Sequence, residues 1–211
     1  MIEKRNQVSN RRLGVLVSGR GSNLQALIDA IADRRLDATI AVVISNIEGA
    51  GALERARAAG IEAICISHRG WPSRVDHDQA LARELRAHDV GLVCLAGYLR
   101  IVGAPLLEAF PDTILNIHPA LLPSFPGLEP QRQAIAHGVK ISGVTVHLVT
   151  GELDAGPIVA QRSVPVFDDD TAKTLAARIL VEEHQAYAEA VQVMLDGGWR
   201  VDGRRFVRNR A

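Results

Sequence analysis

Leu13-Gly14-Val15-Leu16-Val17-Ser18 runs directly into Gly19-Arg20-Gly21-Ser22-Asn23-Leu24, and this passage decides the fold. A short apolar run rich in β-branched residues crosses two glycines into a segment, Ser22–Ala32, whose apolar side chains recur at helical spacing. Strand, tight turn and helix in that order open a βα unit. The alternation continues along the chain. Strands are predicted at Leu13–Ser18, Thr39–Ser45, Ala63–Ile66, Leu92–Ala96, Thr113–Asn116, Val144–Val149 and Ile158–Val164. Helices fall between or after them, at Ser22–Ala32, Ala52–Ala59, Val75–Ala87, Pro105–Phe110, Arg132–Ala136 and Thr171–Leu195. Strands that alternate with helices imply a Rossmann-like α/β fold, a mainly parallel sheet flanked by helices. From Pro119 onward prolines and glycines accumulate, so the second half is expected to be the loop-rich, functional one.

The 211 residues are 47% hydrophobic and 23% charged, with 24 basic and 24 acidic side chains. A chain of this size buries roughly 70% of the surface its unfolded form exposes, and one domain spanning 1–211 needs no disulfide or metal. Balanced charge argues against a nucleic-acid partner, since such binding draws on excess Lys and Arg. Cys65 and Cys94 sit in apolar runs far from any zinc spacing and are expected to be buried thiols of a reducing compartment. The polar extension Met1–Arg12 and the short apolar run after it make neither a signal core nor a membrane span, so the expected location is the cytoplasm. At the other end, residues 199–211 carry five arginines. Asp202-Gly203 between Trp199-Val201 and Phe206-Val207 favours a hairpin with solvated arginines over a phosphate-binding tail.

Several residues can carry chemistry. Glycines before a helix start expose backbone N–H groups that favour one phosphate. Gly19-x-Gly21 has Leu24 where a dinucleotide fingerprint needs its third glycine, and the second strand ends in Ser45-Asn46 with no acid for a ribose, which argues against NAD. A tight turn with Ser22 as a plain helix cap fits the spacing equally well. Asn116 and His118 are two apart in an extended segment, so both leave the same face and can donate toward one point, as a developing oxyanion at a carbonyl carbon requires. A polar strand end with a backbone-satisfied imidazole is the alternative. Asp154, in the loop Glu152-Leu153-Asp154-Ala155-Gly156-Pro157, orients an imidazole if it reaches one and is otherwise a surface turn acid. His147, alternating with Thr145, is either a buried structural histidine or a site residue. On the last helix Glu183 interrupts a wide apolar stripe, and its partner is either a cationic group of a ligand or an arginine of the protein.

Taken together, Leu16–Gln25, Ser45-Asn46, Leu95–Ile101, Ile114–Gly127 and Val146–Pro157 resemble, in the same order, the glycinamide ribonucleotide formyltransferases, a folate-dependent family of purine synthesis. The resemblance extends from about Leu13 to Leu195. It implies two small-molecule substrates, 5'-phosphoribosylglycinamide and 10-formyltetrahydrofolate, and no metal. The family's phosphate-holding turn corresponds to Gly21, Ser22 and Asn23, its catalytic residues to Asn116, His118 and Asp154, and its acid at the sugar and glycinamide end to Glu183. The folate pocket corresponds to Leu99, Arg100, Ile101 and Val102, with Val149, Asn116 and Asp154. One stretch departs from the pattern: Glu129-Pro130-Gln131 stands where known members carry His-Thr-His. Methionyl-tRNA formyltransferases share the same elements but need a further RNA-binding domain, and formyltetrahydrofolate hydrolases need an extra amino-terminal one. A non-catalytic phosphosugar-binding module is the reading from another class.

Overall fold

The computed structural model describes residues 8–209. Of the amino-terminal extension, 1–7 lie outside the described residues, Val8 is already buried, and Arg12 is part of the first strand. A nine-stranded sheet has the order β3-β2-β1-β4-β5-β6-β7-β9-β8. Its parallel half holds β1 (Arg12–Val17), β2 (Thr39–Ser45), β3 (Ala63–Cys65), β4 (Leu92–Leu95) and β5 (Ile114–His118). Beyond β5 the hand of pairing changes. The long strand β6 (Ile141–Leu148) runs antiparallel to β5 and to β7 (Ile158–Pro165), β7 pairs in parallel with β9 (Arg205–Arg208), and the antiparallel hairpin of β8 (Trp199–Asp202) and β9 closes the far edge.

The helices are α1 (Ser22–Ala32), α2 (Gly51–Ala58), α3 (Arg74–Ala87), α4 (Ala104–Ala109), α5 (Pro130–Ala136) and α6 (Ala172–Asp196). They cover the sheet with two apolar layers. Leu13, Val15 and Val17 of β1 pack with Leu24, Leu27, Ile179, Tyr187 and Val191 on one face. Leu16, pointing the other way, packs with Leu81, Leu85, Leu106 and Phe110. This alternation is the period of two that the first strand shows in its sequence. The buried Tyr187 hydroxyl donates to Leu95 O at 2.9 Å, so the long α6 is tied to the middle of the sheet.

Four local expectations need correction. β5 runs to His118 rather than stopping at Asn116, because antiparallel pairing with β6 continues to His118 opposite Thr145. Cys94 is buried and its thiol is pushed up to about 12, chiefly by loss of water, but Cys65 is exposed because β3 is the edge strand. The carboxy-terminal hairpin forms one residue later than its Asp-Gly signal suggests. Asp202 pairs with Arg205, leaving Gly203, at φ 60°, and Arg204 as the two-residue loop. Finally, Ser22 does not cap α1. Gly21 occupies that position in a left-handed conformation with no side-chain hydrogen bond.

Strand order reverses at β1, whose neighbours are β2 and β4. At such a point the loops leaving adjacent strands diverge and open a crevice at the carboxyl ends, where α/β proteins bind ligands. Here those loops are Ser18–Gly21 after β1, Gly97–Gly103 after β4 and the stretch after His118.

Candidate active site

A cavity of about 660 Å³ opens at that crevice, and its wall includes Asn23, Asn116, His118, Asp154 and Glu183. Leu99, Arg100, Ile101, Val102 and Val149 line it as well, together with Leu128 and Leu153. Gly21 and Ser22 lie outside this lining, at the adjoining turn.

The turn is built to leave backbone donors free. Gly21 has φ 77°, and a Cβ there would come within 2.7 Å of the Ala52 Cβ, so both conformation and space demand glycine. Gln25 N donates to Gly21 O, which leaves Ser22, Asn23 and Leu24 as the helical residues whose N–H groups have no carbonyl one turn back. Arg55 clamps the outside, donating from Nε to Arg20 O at 2.9 Å. The Asn23 side chain turns away from the turn and into the cavity. Its Nδ2 donates to Glu183 Oε2 at 2.7 Å, across 160 residues of sequence. Glu183 is 8% exposed, and among the described residues no arginine pairs with it, which removes the ion-pair alternative for the charge in the α6 stripe. Burial raises the pKa of the Glu183 carboxyl, and the Asn23 hydrogen bond partly offsets the rise.

Asn116, His118, His147 and Asp154 meet at the other polar end. Asp154 Oδ2 lies 3.4 Å from His118 Nδ1 and accepts from Gly127 N at 2.8 Å, while Oδ1 lies 3.5 Å from Asn116 Nδ2 and 3.6 Å from His147 Nε2. Its side chain is 8% exposed, so Asp154 is no surface turn acid. Burial alone would raise this carboxyl, yet the neighbouring His147 and His118 imidazoles and the Gly127 N–H hold it below the ordinary carboxylate value. His147 is a member of the cluster. Its Nδ1 donates to Leu148 O at 2.9 Å, so Nε2 is left to accept from Asn116 Nδ2 at 3.1 Å, which fixes the direction of the Asn116 amide. The sequence signal for His147 was its alternation with Thr145 on a strand beside Asn116.

His118 is turned differently from a simple donor beside Asn116. Its Nε2 donates to Phe125 O at 2.8 Å, so Nδ1, facing Asp154, is the atom left for acid–base work. Phe125, Gly127, Glu129 and Asp154 all have positive φ, and three of these are not glycine. Such backbone is costly and concentrates at functional sites. Glu129, the departure from the family pattern, caps α5 at the cavity rim with an exposed side chain 3.5 Å from Arg132. Among the described residues no group of three or more His, Cys, Asp or Glu could hold a metal ion, and no helix is long and apolar enough to cross a membrane.

Known proteins resemble this chain along nearly its whole described length. Over 185 residues it is 37% identical to a phosphoribosylglycinamide formyltransferase of Bacillus subtilis, covering 88% of this chain and 95% of the relative. A trifunctional purine biosynthetic protein of Drosophila melanogaster is 44% identical over 189 residues, 89% of this chain, which spans only 14% of that longer protein. Among solved structures, a glycinamide ribonucleotide transformylase of Symbiobacterium toebii superposes with a TM-score of 0.93 at 49% identity, covering 98% of this chain and all of the other. A formyltetrahydrofolate deformylase of Pseudomonas syringae superposes with a TM-score of 0.88 at 28% identity, over 96% of this chain and 67% of that one. The family model described as formyl transferase matches residues 11–191, and with the cavity at the carboxyl ends of the strands falling inside that span, the chain belongs to the formyl transferase family.

Proposed function

We propose that this chain transfers the formyl group of 10-formyltetrahydrofolate to the amine of 5'-phosphoribosylglycinamide, giving formylglycinamide ribonucleotide and tetrahydrofolate. One observation carries the reading: one cavity, adjoining a free helix start, brings together a buried acid, an Asn-His-Asp cluster and apolar walls. The ribonucleotide's phosphate sits on the N–H groups of Gly21, Ser22 and Asn23, where the helix dipole favours an anion. Glu183, held by Asn23, takes donors of the sugar and glycinamide part. Leu99, Arg100, Ile101, Val102 and Val149 receive the folate.

The amine attacks the formyl carbon, and negative charge develops on the formyl oxygen. Asn116 Nδ2 and the His118 Nδ1 proton stabilise it, and Asp154 Oδ2 faces that nitrogen at 3.4 Å, where it orients the ring. The amine's proton passes through this pair to the departing folate nitrogen, the C–N bond to folate breaks, and no covalent protein intermediate is required. His147 keeps the Asn116 donor aimed.

The test is incubation with both substrates, following tetrahydrofolate, formylglycinamide ribonucleotide and formate. Formation of tetrahydrofolate and formylated ribonucleotide in equal amounts is the expected result. Formate release without ribonucleotide formylation would favour the hydrolytic chemistry named for the Pseudomonas relative, and binding of both ligands without either product would leave a binding module.

A further inference from the structure

The Asp78 carboxylate on α3 is only 2% exposed and takes no part in the chemistry above. It accepts a hydrogen bond from Gly103 N at 2.7 Å, and a Cβ added to Gly103 would lie 2.7 Å from the same oxygen. Gly103 is the residue before α4 and immediately follows Val102 of the cavity wall. The wall itself, Tyr98–Val102, has no regular structure and exposes Leu99 by 75% and Ile101 by 53%. A segment like this keeps its shape only if its ends are tied. Its first end is tied by Ser18, whose Oγ accepts from Leu99 N at 2.9 Å and whose N–H donates to Gly97 O at 3.0 Å. Asp78 ties the second.

The surroundings of Asp78 reinforce this. His77 Nε2 donates to Ile66 O at 3.0 Å, and its Nδ1 lies 3.6 Å from Asp78 Oδ1 with no hydrogen bond of its own. Tyr98 Oη and Arg100 Nε, both from the wall, are likewise buried without a partner. Burial first, and the Asp78 charge second, raise the Tyr98 phenol well above its ordinary value, so Asp78 acts on the wall at Tyr98 as well as at Gly103. A buried carboxylate is costly unless hydrogen-bonded, and the Gly103 N–H supplies such a bond to Asp78.

We propose that Asp78 is a positioning residue for the folate wall, holding Tyr98–Val102 in the shape that receives the folate by fixing Gly103 from behind. The proposal rests on the assignment of that wall to the folate. It predicts a selective defect: the folate end weakens while the ribonucleotide end, built on α1 and α6, does not.

Equilibrium titrations with tetrahydrofolate and with 5'-phosphoribosylglycinamide, alongside steady-state kinetics, test it. Asp78→Ala is expected to raise the folate Kd and KM by about tenfold or more, the scale of one lost hydrogen bond to a charged group. Ribonucleotide Kd should stay within about twofold and kcat at saturating folate within about threefold, since the reacting groups are untouched. Asp78→Asn keeps an oxygen acceptor and is expected to recover most of the folate affinity. Gly103→Ala approaches from the other side, displacing the carboxylate by its new Cβ, and should reproduce the folate-selective loss even if Asp78→Ala fails to fold. Equal weakening of both ligands, or folate affinity unchanged in Gly103→Ala and Asp78→Ala, overturns the proposal. If the unaltered protein binds no tetrahydrofolate, the functional reading fails and takes this proposal with it; if it binds and the variants bind equally well, only the role of Asp78 falls.

Discussion

The two ends of the cavity are made in opposite ways. At the end proposed for the ribonucleotide the recognising groups belong to regular structure: backbone N–H groups at the start of α1, and Glu183 fixed on α6 by Asn23. At the end proposed for the folate they belong to an irregular segment, with Leu99 and Ile101 exposed and with hydrogen bonds to Ser18 and to Asp78 at its two ends. A phosphate is recognised by charge and direction, which a helix start supplies at no conformational cost. A flat, largely apolar ring system is recognised by shape, which requires side chains that remain partly uncovered until the ligand arrives. Asp154 contacts His118 at 3.4 Å and Asn116 at 3.5 Å, the two groups proposed to act on the formyl oxygen.

The largest effect is therefore expected at this cluster. Asp154→Asn should cut turnover by about a hundredfold or more through lost acid–base support, with both ligands still binding. Single-turnover kinetics and titration on one preparation check this. A variant with near-normal turnover would show that the 3.4 Å contact to His118 has no catalytic role.

Next comes the helix start. Ser22→Asp places an anion where the phosphate should sit and should raise the ribonucleotide Kd by about tenfold or more while folate affinity holds. Calorimetric titration showing both ligands weakened alike would mean general damage to the turn.

Asn23→Ala sharpens the comparison further, because the family resemblance places Asn23 at the phosphate while its side chain contacts Glu183. Loss of affinity by about fivefold is expected for the ribonucleotide, and a similar loss for its dephosphorylated ribonucleoside, the scale of one ordinary hydrogen bond, since Asn23 acts through Glu183. A loss confined to the phosphorylated ligand would return the Asn23 side chain to the phosphate.

How much of this was legible in sequence follows from the range of the interactions involved. The βα alternation is local, and β2 and α1 have the predicted limits because period, glycine turn and helix start all agree there. The end of β5 was not legible, since it depends on a partner strand about thirty residues away. Exposure of Cys65 depends on β3 lying at the sheet edge, which a four-residue apolar run does not announce. In the site, residue types and order pointed to Asn116, His118 and Asp154, yet which His118 nitrogen faces Asp154 is decided by Phe125 O in the following loop. Asp78 carried no sequence signal at all. One acid on a charged amphipathic helix reads as solvated until Gly103 is brought against it.

The smallest effect on stability, and the sharpest split between stability and function, belongs to Glu183. Its carboxyl has a raised pKa in the folded protein because it is buried with only Asn23 as donor. The sign follows from linkage: a group whose folded pKa lies above its unfolded one favours the fold at low pH, and that contribution is lost as pH rises through the folded value. Above that value the buried carboxylate weighs against the fold, a cost that binding of a ligand offsets. Glu183→Gln keeps the shape and the hydrogen bond and removes the charge, so the melting temperature at neutral pH should hold or rise, within about 1 kcal/mol of stability. Ribonucleotide affinity should fall, and the acid-side loss of affinity expected from protonation of the raised Glu183 carboxyl should disappear from the pH profile. Asp154 is shifted the other way, which separates the two carboxyls in that profile. A lower melting temperature with unchanged ribonucleotide affinity would make Glu183 a structural residue and move the sugar end of the site elsewhere.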